Sequence, residues 1–527
     1  MGGESSSGGG DADDDGAGGV IASGGGAGGE PAIGGSSTGG DGSGGSPAAL
    51  EPDAGFIEVI GRRYASNGLT QMTPTHRVFY SFHPSDLGKD APLAVFFNGG
   101  PGSSTATLMG MSTAPRTLDP HLTGAAQGSV PNPVSWTRGM HVLYIDAPST
   151  GFSYTLPPPD GPEVDAGIDL DREAGVFVEV LLAFLEKHSE LACNQVILVG
   201  ESYGGTRATL MLQHLLFPER LEQTSWIYVD PELTSKIREH ESNTTNCHGG
   251  EVLPLQEQFN AQVLIQPVVL GRVQWDRNSP DPSVCLSGGS YDDYQCDKPR
   301  GYMNAVWADI ARKLTTLGTL EDFLGVDPQQ IEWFYADQRL LAYGKSPAFA
   351  PRPLELEEVF GLLNSKDAYH LDDNEEVRNA RRHPARWWDD PRIAPQFLEN
   401  LRTVKTLITN APYDMVVEST AIIRGIENMP SVVSSIQRIP DPVAPRGGWY
   451  EITYLDGHRV HIRMPTYEAA GHCVTLFASG DLLYDVMSLL EDSAPPPAPE
   501  EPALARKQRV FEPPPSERLA SETYLGP

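Results

Sequence analysis

The sequence predicts an α/β fold, a doubly wound and mostly parallel sheet with an inserted, mainly helical cap. The first observation is a set of short continuous apolar runs, which are typical of strands buried on both faces. The second is a segment of helical period between two such runs, which gives the strand–helix–strand order of a doubly wound sheet. The third is that two of the runs end directly at glycine-rich segments, where sheets of this kind place their binding crevice.

The first half of the chain supplies most of the predicted sheet. The predicted strands are residues 56–60, 78–82, 93–97, 142–145, 196–199 and 263–270. The first two are β-rich segments separated by turn residues and suit antiparallel opening strands, whereas Pro267 weakens the last strand or places a bulge there. Residues 170–188 and 206–216 have helical patterns, so strand, helix, strand, turn and helix follow one another.

The second half loses the strand rhythm and then regains it. Residues 271–390 contain helical patterns among Pro and Gly and are predicted to form the cap. A smaller insertion is predicted at about 218–257. The remaining elements are a strand at 404–409, a hairpin of 449–455 and 460–464 around the turn signal Asp456-Gly457, and a closing amphipathic helix at 482–490.

The two ends of the chain differ from its middle in composition. Residues 1–54 are rich in Gly, Ser, Asp and Ala and contain no Lys, Arg or aromatic residue, so we expect a disordered acidic tether. Residues 493–527 are Pro-rich and are predicted to be a second tail. The folded core is therefore predicted in two parts, residues 55–270 and 391–492, on either side of the cap.

The charge of the chain excludes one large class of partner. The formal net charge is −32, whereas nucleic-acid binding needs a basic footprint. No apolar run reaches the roughly 18 residues of a membrane helix, so no integral membrane segment is predicted. The residues after Met1 contain neither a basic region nor an apolar region of the kind that signal peptides have. We expect that a leader has been removed and that the protein is secreted, periplasmic or tethered to the envelope.

The five cysteines indicate a disulfide rather than a metal site. An odd number leaves at least one free thiol, and Cys247, Cys285 and Cys296 fall in the predicted insertions, so one disulfide among these three is expected. A zinc site made of these cysteines and His248 is the alternative. It is disfavoured because the spacing contains no Cys-x-x-Cys pair. We therefore expect neither a metal nor a cofactor.

A nucleophilic serine is predicted at the end of the strand 196–199. Gly200-Glu201-Ser202-Tyr203-Gly204 has the Gly-x-Ser-x-Gly pattern, which occurs often by chance. Here it follows a buried strand and precedes a helix, and this context is that of a nucleophile elbow that exposes the hydroxyl of Ser202. The alternative is a tight turn with an ordinary serine.

The second glycine-rich segment, Asn98 to Ser104, follows the strand 93–97 and is predicted to help form an oxyanion hole. Such a hole needs two main-chain N–H donors, one from this loop and one from the residue after the nucleophile. Gly100 and Tyr203 are the candidates. The alternatives are a plain loop and a phosphate cradle, although the segment lacks the Gly-Lys-Ser/Thr of a P-loop.

Asp414 and His472 are the predicted partners of Ser202. Asp414 comes just after the last predicted parallel strand, where a triad acid belongs, whereas Asp146 ends an earlier strand. His472 follows small residues in a loop that can bring an imidazole over Ser202. The chain order Ser, Asp, His is that of the α/β-hydrolase triad, and other triad folds use other orders.

These motifs together resemble one family. Asn98–Ser104, Asp146-Ala147-Pro148 with Gly151–Tyr154, Gly200–Gly205, Asp414 and Gly471-His472 are similar to the motifs of the serine carboxypeptidases over about residues 56–492, the two insertions excepted. The resemblance implies an α/β-hydrolase core and the removal of C-terminal residues from peptides. It makes Ser202 the nucleophile, His472 the general base and Asp414 the acid that orients the base. It further implies that Asn98 and a protonated Glu201 bind the carboxylate of the substrate, with an acid-shifted optimum.

The chain departs from the family at two positions. Ser112 stands where familiar members have a second Glu, and Ser103 stands where many have Cys. Arg116 or Arg207 could supply a compensating charge, but we interpret both as partners in structural ion pairs. Cys473 is predicted to be a free thiol near the site.

Three functions remain in competition on the sequence alone. The first is a serine-type carboxypeptidase that acts on peptides through an acyl-enzyme intermediate. The second is an esterase, lactonase or acyltransferase with the same triad. The third is a non-catalytic binding protein that retains the fold. The sequence does not predict the oligomeric state.

Overall fold

The computed structural model describes a core with several gaps. The described residues are 50–66, 68–100, 103–105, 108–118, 129–148, 150–156, 169–244, 247, 252–270, 274, 317–327, 390, 392–412, 414, 417–439, 446–468 and 470–491. They all belong to one compact unit. The predicted tether, the predicted C-terminal tail and most of the predicted cap therefore lie outside the described residues.

The described strands, in chain order, are β1 (Asp53–Val59), β2 (Arg63–Ser66), β3 (Leu69–Met72), β4 (Thr75–His83), β5 (Leu93–Phe97), β6 (Arg116–Leu118), β7 (Ser129–Pro131), β8 (His141–Ile145), β9 (Tyr154–Leu156), β10 (Val196–Glu201), β11 (Tyr228–Val229), β12 (Ala261–Ile265), β13 (Lys405–Ile408), β14 (Val433–Ile439), β15 (Trp449–Tyr454) and β16 (Arg459–Arg463). The described α-helices are α1 (Leu170–Lys187), α2 (Gly204–Leu216), α3 (Pro231–Asn243), α4 (Leu255–Gln258), α5 (Leu317–Leu324), α6 (Ile393–Leu401), α7 (Thr420–Glu427) and α8 (Val474–Glu491).

One mixed sheet of 11 strands organises the described core. Its order is β1-β4-β8-β5-β10-β12-β13-β16-β15-β14, and β9 pairs with β4 off this path. The central strands from β8 to β16 run parallel to their neighbours, and antiparallel strands flank them on both sides. Strands β5, β8, β10 and β12 are buried along their whole length, as continuous apolar runs predict. This is the α/β-hydrolase arrangement.

Most of the predicted elements are confirmed. The opening strands pair antiparallel, with Phe56 opposite Phe79. The hairpin around Asp456-Gly457 forms between β15 and β16, with a left-handed φ of 83° at Gly457. Its turn is not of type I′, which needs a left-handed φ at both central residues, because Asp456 does not have one. Helices α1 and α2 lie where the helical patterns are.

Three predicted boundaries were wrong. The tether was predicted to extend to residue 54, but β1 begins at Asp53 and Leu50 packs against the core. The strand predicted at 263–270 ends at Ile265, because Gln266 adopts a left-handed backbone and Pro267 has no N–H to continue a ladder. The closing helix begins at Val474 rather than at 482, and it contains a kink at Ala478.

The predicted insertion at 218–257 contains regular structure that the sequence did not reveal. Helix α3 lies in it, and β11 pairs with β2 to form a small sheet with β3. Cys247 forms a disulfide with Cys193, 54 residues earlier. Cys247 is therefore not part of the predicted disulfide among Cys247, Cys285 and Cys296, and the alternative zinc site loses this ligand. Cys285 and Cys296 lie outside the described residues.

Candidate active site

Ser202 lies on a sharp elbow between β10 and α2. Its φ of 59° is left-handed, which is a strained conformation for a residue that is not glycine. Gly200 makes the crossing possible, because a Cβ at this position would lie 2.2 Å from the carbonyl oxygen of Gly204. The elbow is the strand–turn–helix geometry that the motif predicts.

The backbone of Ser202 is fixed from both sides by the segment after β12. The N–H of Ser202 donates to the carbonyl oxygen of Ile265 at 2.9 Å, and the N–H of Val268 donates to the carbonyl oxygen of Ser202 at 2.8 Å. These two bonds continue the pairing of β10 with β12 beyond the end of the ladder. They satisfy a backbone that is otherwise strained and buried.

His472 and Asp414 lie together as the sequence predicts. Nδ1 of His472 donates to Oδ2 of Asp414 at 2.8 Å. The carboxylate also accepts the side-chain amide of Gln266 at 2.7 Å and the backbone N–H of Val417 at 3.1 Å. Burial lowers the pKa of His472, but the Asp414 carboxylate outweighs burial and the net pKa is raised.

Ser202 and His472 are both close to Glu201 but are not hydrogen-bonded to each other. Within the described part of the chain no hydrogen bond joins their side chains. Both nevertheless adjoin Glu201, which precedes Ser202 and interacts electrostatically with both His472 and Asp414. The hydrogen bond between a nucleophile and its base is often long or poorly aligned in structures without substrate, because it tightens when the reacting group is bound.

The glycine-rich loop after β5 presses against the elbow. A Cβ on Gly99 would lie 2.6 Å from the Cβ of Ser202 and 2.7 Å from the backbone nitrogen of Tyr203, so only glycine fits there. Gly100 follows with a left-handed φ of 105°. The two candidate oxyanion donors, Gly100 and Tyr203, are therefore held on segments that are in contact with each other beside the nucleophile.

The side-chain amide of Asn98, which is predicted to bind the substrate carboxylate, is hydrogen-bonded within its own loop. Its side-chain nitrogen donates to the carbonyl oxygen of Ser104 at 2.9 Å, and its side-chain oxygen accepts the N–H of Gly99 at 2.7 Å. The amide thus holds the loop in shape at both of its ends. Any contact of Asn98 with a substrate would have to replace or share these bonds.

Glu201 is a buried carboxyl group without a partner. Only 1% of the residue is exposed, and within the described residues neither of its carboxyl oxygens has a hydrogen-bond partner. Burial raises the pKa of Glu201 to about 7; nearby His472 lowers this pKa and Asp414 raises it. A buried polar group of this kind is costly for stability unless something outside the protein binds it.

The two arginines near the site are both in ion pairs, as interpreted from the sequence. Arg207 is fully buried and pairs with Glu173, which also accepts the hydroxyl of Tyr203 at 2.9 Å. Arg116 pairs with Asp322 at 3.3 Å. Ser112, at the position of the missing family glutamate, lies in a π-helical turn (Met109–Thr113) with a left-handed φ of 66°.

Cys473 is a free thiol, as predicted, and it is buried beside the site. Burial raises its pKa well above the ordinary value, and Glu201 and Asp414 raise it further. The thiol is therefore protonated and weakly nucleophilic. Elsewhere in the described residues no group of three or more His, Cys, Asp or Glu side chains could hold a metal ion, and no described helix is long and apolar enough to cross a membrane.

One residue of the site was missed by the sequence analysis. Gln266, which binds Asp414, was assigned to a strand that was expected to run on to residue 270. Pro267 was the available signal, since it marked an irregularity at this position. The sequence alone does not show that the side chain of Gln266 binds Asp414, because this contact depends on the fold.

Comparisons with known proteins show what the first part of the core is similar to. The family model described as serine carboxypeptidase matches residues 62–225. Serine carboxypeptidase-like 49 of Arabidopsis thaliana is 33% identical over 129 residues, which cover 24% of this chain and 23% of the relative. Carboxypeptidase Y homolog A of Arthroderma otae is 30% identical over 134 residues, which cover 25% of this chain and 22% of the relative. The matches thus span about a quarter of the length of these relatives.

Among solved structures, the prohormone-processing carboxypeptidase KEX1(delta)P of Saccharomyces cerevisiae is similar with a TM-score of 0.43 and 13% identity, covering 84% of this chain and 91% of that one. The similarity to serine carboxypeptidases rests on the sequence comparisons and not on this structural match. Residues 62–225 contain the glycine-rich loop, the helix α1 and the elbow with Ser202. The predicted resemblance to the serine carboxypeptidase family is confirmed for this region.

Proposed function

We propose that the protein is a serine hydrolase of the carboxypeptidase type, which releases C-terminal residues from peptides through an acyl-enzyme. The proposal rests above all on Glu201, a buried carboxyl with no partner in the described residues, directly before Ser202 and beside the bonded pair of His472 and Asp414. A protonated Glu201 can donate a hydrogen bond to the carboxylate of a peptide C-terminus.

The residues have the following roles in this proposal. The hydroxyl oxygen of Ser202 attacks the last peptide carbonyl while Nε2 of His472 takes its proton, and Asp414 holds the Nδ1–H of the imidazole and stabilises the imidazolium. The N–H groups of Gly100 and Tyr203 stabilise the oxyanion. His472 then gives its proton to the leaving amine, and the acyl group stays on Ser202. Water, deprotonated by His472, hydrolyses the ester and restores the serine.

Specificity for a free C-terminus would depend on the protonation of Glu201. Below its pKa of about 7 the carboxyl donates to a carboxylate, and above it two anions would face each other. The catalytic efficiency on peptides with a free C-terminus should therefore fall as the pH rises through 7. Ester, lactone or acyl-transfer chemistry is the second candidate, because Asn98 is engaged within its loop and Ser112 replaces the family glutamate.

Timed mass spectrometry of a mixed peptide pool tests the proposed reaction. We expect successive loss of C-terminal residues with the wild-type protein and none with Ser202→Ala, which removes the nucleophile. A fluorophosphonate probe should label the wild type at Ser202. Labelling without any shortening of peptides would favour the esterase candidate, and the absence of both would favour a binding protein.

A second experiment tests the role of Glu201. We expect Glu201→Gln to flatten the decline of kcat/KM between pH 5.5 and 8 for a blocked dipeptide, because the amide keeps its donor at every pH. The same dipeptide with a C-terminal amide is the control, since it carries no charge to repel. An unchanged pH profile in the variant, or equal wild-type rates on acid and amide at pH 5.5, would remove carboxylate recognition from the proposal.

We also propose that the protein works in an oxidising compartment, that is, secreted, periplasmic or tethered to the envelope. The disulfide between Cys193 and Cys247 supports this, since such bonds persist mainly outside reducing cytosol. Cell fractionation followed by thiol labelling of Cys193 and Cys247 checks it, and a reduced pair in a cytosolic fraction would contradict it.

A further inference from the structure

The short turn that follows β12 contacts two parts of the proposed triad at once. Through its backbone, Ile265 and Val268 bind the N–H and the carbonyl oxygen of Ser202. Gln266, one of the two residues between them, binds Asp414 through its side chain. Ser202 and Asp414 are 212 positions apart in the sequence, and both are hydrogen-bonded by the same four-residue segment, 265–268.

The backbone of Gln266 indicates that its side chain is needed there. Its φ is 43°, a left-handed value that costs an ordinary residue about 1–2 kcal/mol and that glycine adopts freely. The residue is fully buried. Strain that persists at a buried position must be offset by the surrounding contacts, and such positions cluster at functional sites.

The contacts of Gln266 fix the direction in which its amide points. Its side-chain oxygen accepts the hydroxyls of Thr409 at 3.2 Å and of Ser419 at 3.1 Å. Because these two bonds occupy the oxygen, the NH₂ group faces Asp414, and its nitrogen lies 2.7 Å from Oδ2. This carboxylate oxygen is the one that accepts Nδ1–H of His472.

We propose that Gln266 is a positioning residue of the triad, whose amide donor holds the Asp414 carboxylate in the orientation that His472 needs. This inference rests on the proposed function, because it assigns Gln266 a role in the same reaction. It predicts an effect on turnover rather than on substrate affinity, since Gln266 contacts the acid and lies behind the imidazole. Among the described residues, the titratable groups that interact with one another in this part of the site are Asp414, His472, Glu201 and Cys473.

A purely structural role for Gln266 predicts something different. Its bonds to Thr409 and Ser419 join the end of β13 to the beginning of α7, so losing them would lower stability. A structural role would change the unfolding free energy and leave the turnover and pH dependence of the folded enzyme unchanged. Gln262 allows the two roles to be separated. It lies on β12, four residues before Gln266, is equally buried and donates one amide hydrogen bond, to Thr406 at 3.0 Å.

The first experiment compares Gln266→Met with Gln262→Met. Methionine keeps the length of the side chain and removes the amide. We expect Gln266→Met to lower kcat about 10- to 100-fold with KM within about twofold, as loss of a hydrogen bond to a charged group implies. We expect Gln262→Met to retain kcat within about twofold. Rates are compared per mole of folded protein, measured by near-UV circular dichroism.

The second experiment uses Gln266→Glu and compares the enzyme only with itself across pH. Two adjacent carboxyl groups share one proton at mildly acidic pH, so the introduced group can still donate to Asp414 there. At higher pH the proton is lost and the two anions repel each other. We expect the ratio of variant to wild-type kcat to fall at least about tenfold between pH 5 and 8. The ratio for Gln266→Met should stay constant over the same range.

Specific results would overturn the inference. Equal kcat for the two methionine variants would do so, and so would a pH-independent ratio for Gln266→Glu, which decides the matter even if Gln266→Met does not fold. All variants are assayed on a blocked dipeptide and on a p-nitrophenyl ester. If the wild type cleaves only the ester, carboxypeptidase activity fails while the role of Gln266 is still measured.

Discussion

Two buried glutamates in this protein have opposite electrostatics. Glu179, on α1, accepts bonds from Arg62, Arg172 and Lys236 at 2.6–2.8 Å. Burial would raise the pKa of Glu179, but these cations, Arg172 foremost, lower it to about 2. Glu201, at the end of β10, is as deeply buried and has no hydrogen-bond partner in the described residues, so burial raises its pKa to about 7.

The difference shows that burial alone does not decide the state of a carboxyl group. Partners decide it, because the desolvation cost is offset only where cations and N–H donors replace water. At Glu179 the protein supplies these partners itself, and the group joins α1 to α3 and to the segment before β2 through Arg172, Asp230 and Arg62. At Glu201 the residues that the structure describes supply no such partner. In our proposal the substrate is this partner.

Breaking the satisfied cluster should have the largest effect. We expect Glu179→Gln to lower the unfolding free energy by about 3–5 kcal/mol at pH 7, because it removes one of the two buried anions that Arg172 and Arg62 share and leaves them only Asp230. Urea denaturation measures this. The matched control is Glu186→Gln on the exposed side of the same helix, which should change stability by less than about 0.5 kcal/mol. Equal effects at the two positions would contradict the assignment of Glu179 as the centre of the cluster.

Removing the charge of Glu201 should raise the unfolding free energy, whereas removing that of Glu179 should lower it. The folded-state pKa of Glu201 is about 7, above its ordinary value of 4.5, so the folded protein binds more protons than the unfolded chain between these pH values. Stability therefore falls as the pH rises from 4.5 to 7, by about 3 kcal/mol in total. We expect Glu201→Gln to be more stable than the wild type by about this amount at pH 8 and equal to it at pH 4. A variant that is less stable at pH 8 would show that Glu201 has a partner.

The smallest expected effect on stability is at Lys236, on the exposed edge of the cluster around Glu179. Lys236 also contacts Glu179, at 2.6 Å, but 41% of its side chain is exposed. Water screens such a pair, so we expect Lys236→Met to lower stability by less than about 1 kcal/mol in low salt and by still less in 0.5 M NaCl. A loss as large as that of Glu179→Gln would mean that the count of cations, and not their burial, lowers the pKa of Glu179.

The sequence predicted those parts of the molecule that depend on neighbouring residues. The apolar runs gave the central strands, Asp456-Gly457 gave its hairpin, and the elbow at Ser202 followed from glycines two positions away on either side. The hydrogen bond of Asp414 to His472 was also anticipated, because the order of the motifs along the chain corresponds to one fold. In each case the residues beside a motif showed which strand or helix adjoins it.

The missed features depend on residues far apart in the chain. The role of Gln266 depends on Asp414, 148 positions away, and the cluster around Glu179 depends on Arg62, 117 positions away, as well as on Arg172 in the same helix. Cys193 gave no signal of its partner, since any of the other cysteines has suitable chemistry. Asn98 was predicted to bind substrate, and its bonds within its own loop could not be foreseen because they depend on the path of the backbone to Ser104.

The disulfide between Cys193 and Cys247 encloses β10, the elbow, α2, β11 and the whole of α3 in a single ring of chain. Residues 222–225, an exposed turn, lie within this ring. A protease that cuts the turn would open the ring without releasing a fragment, and the nucleophile would stay attached to both halves of the molecule. Nicked protein should therefore migrate as two bands only after a reducing agent is added, and it could keep its activity until then.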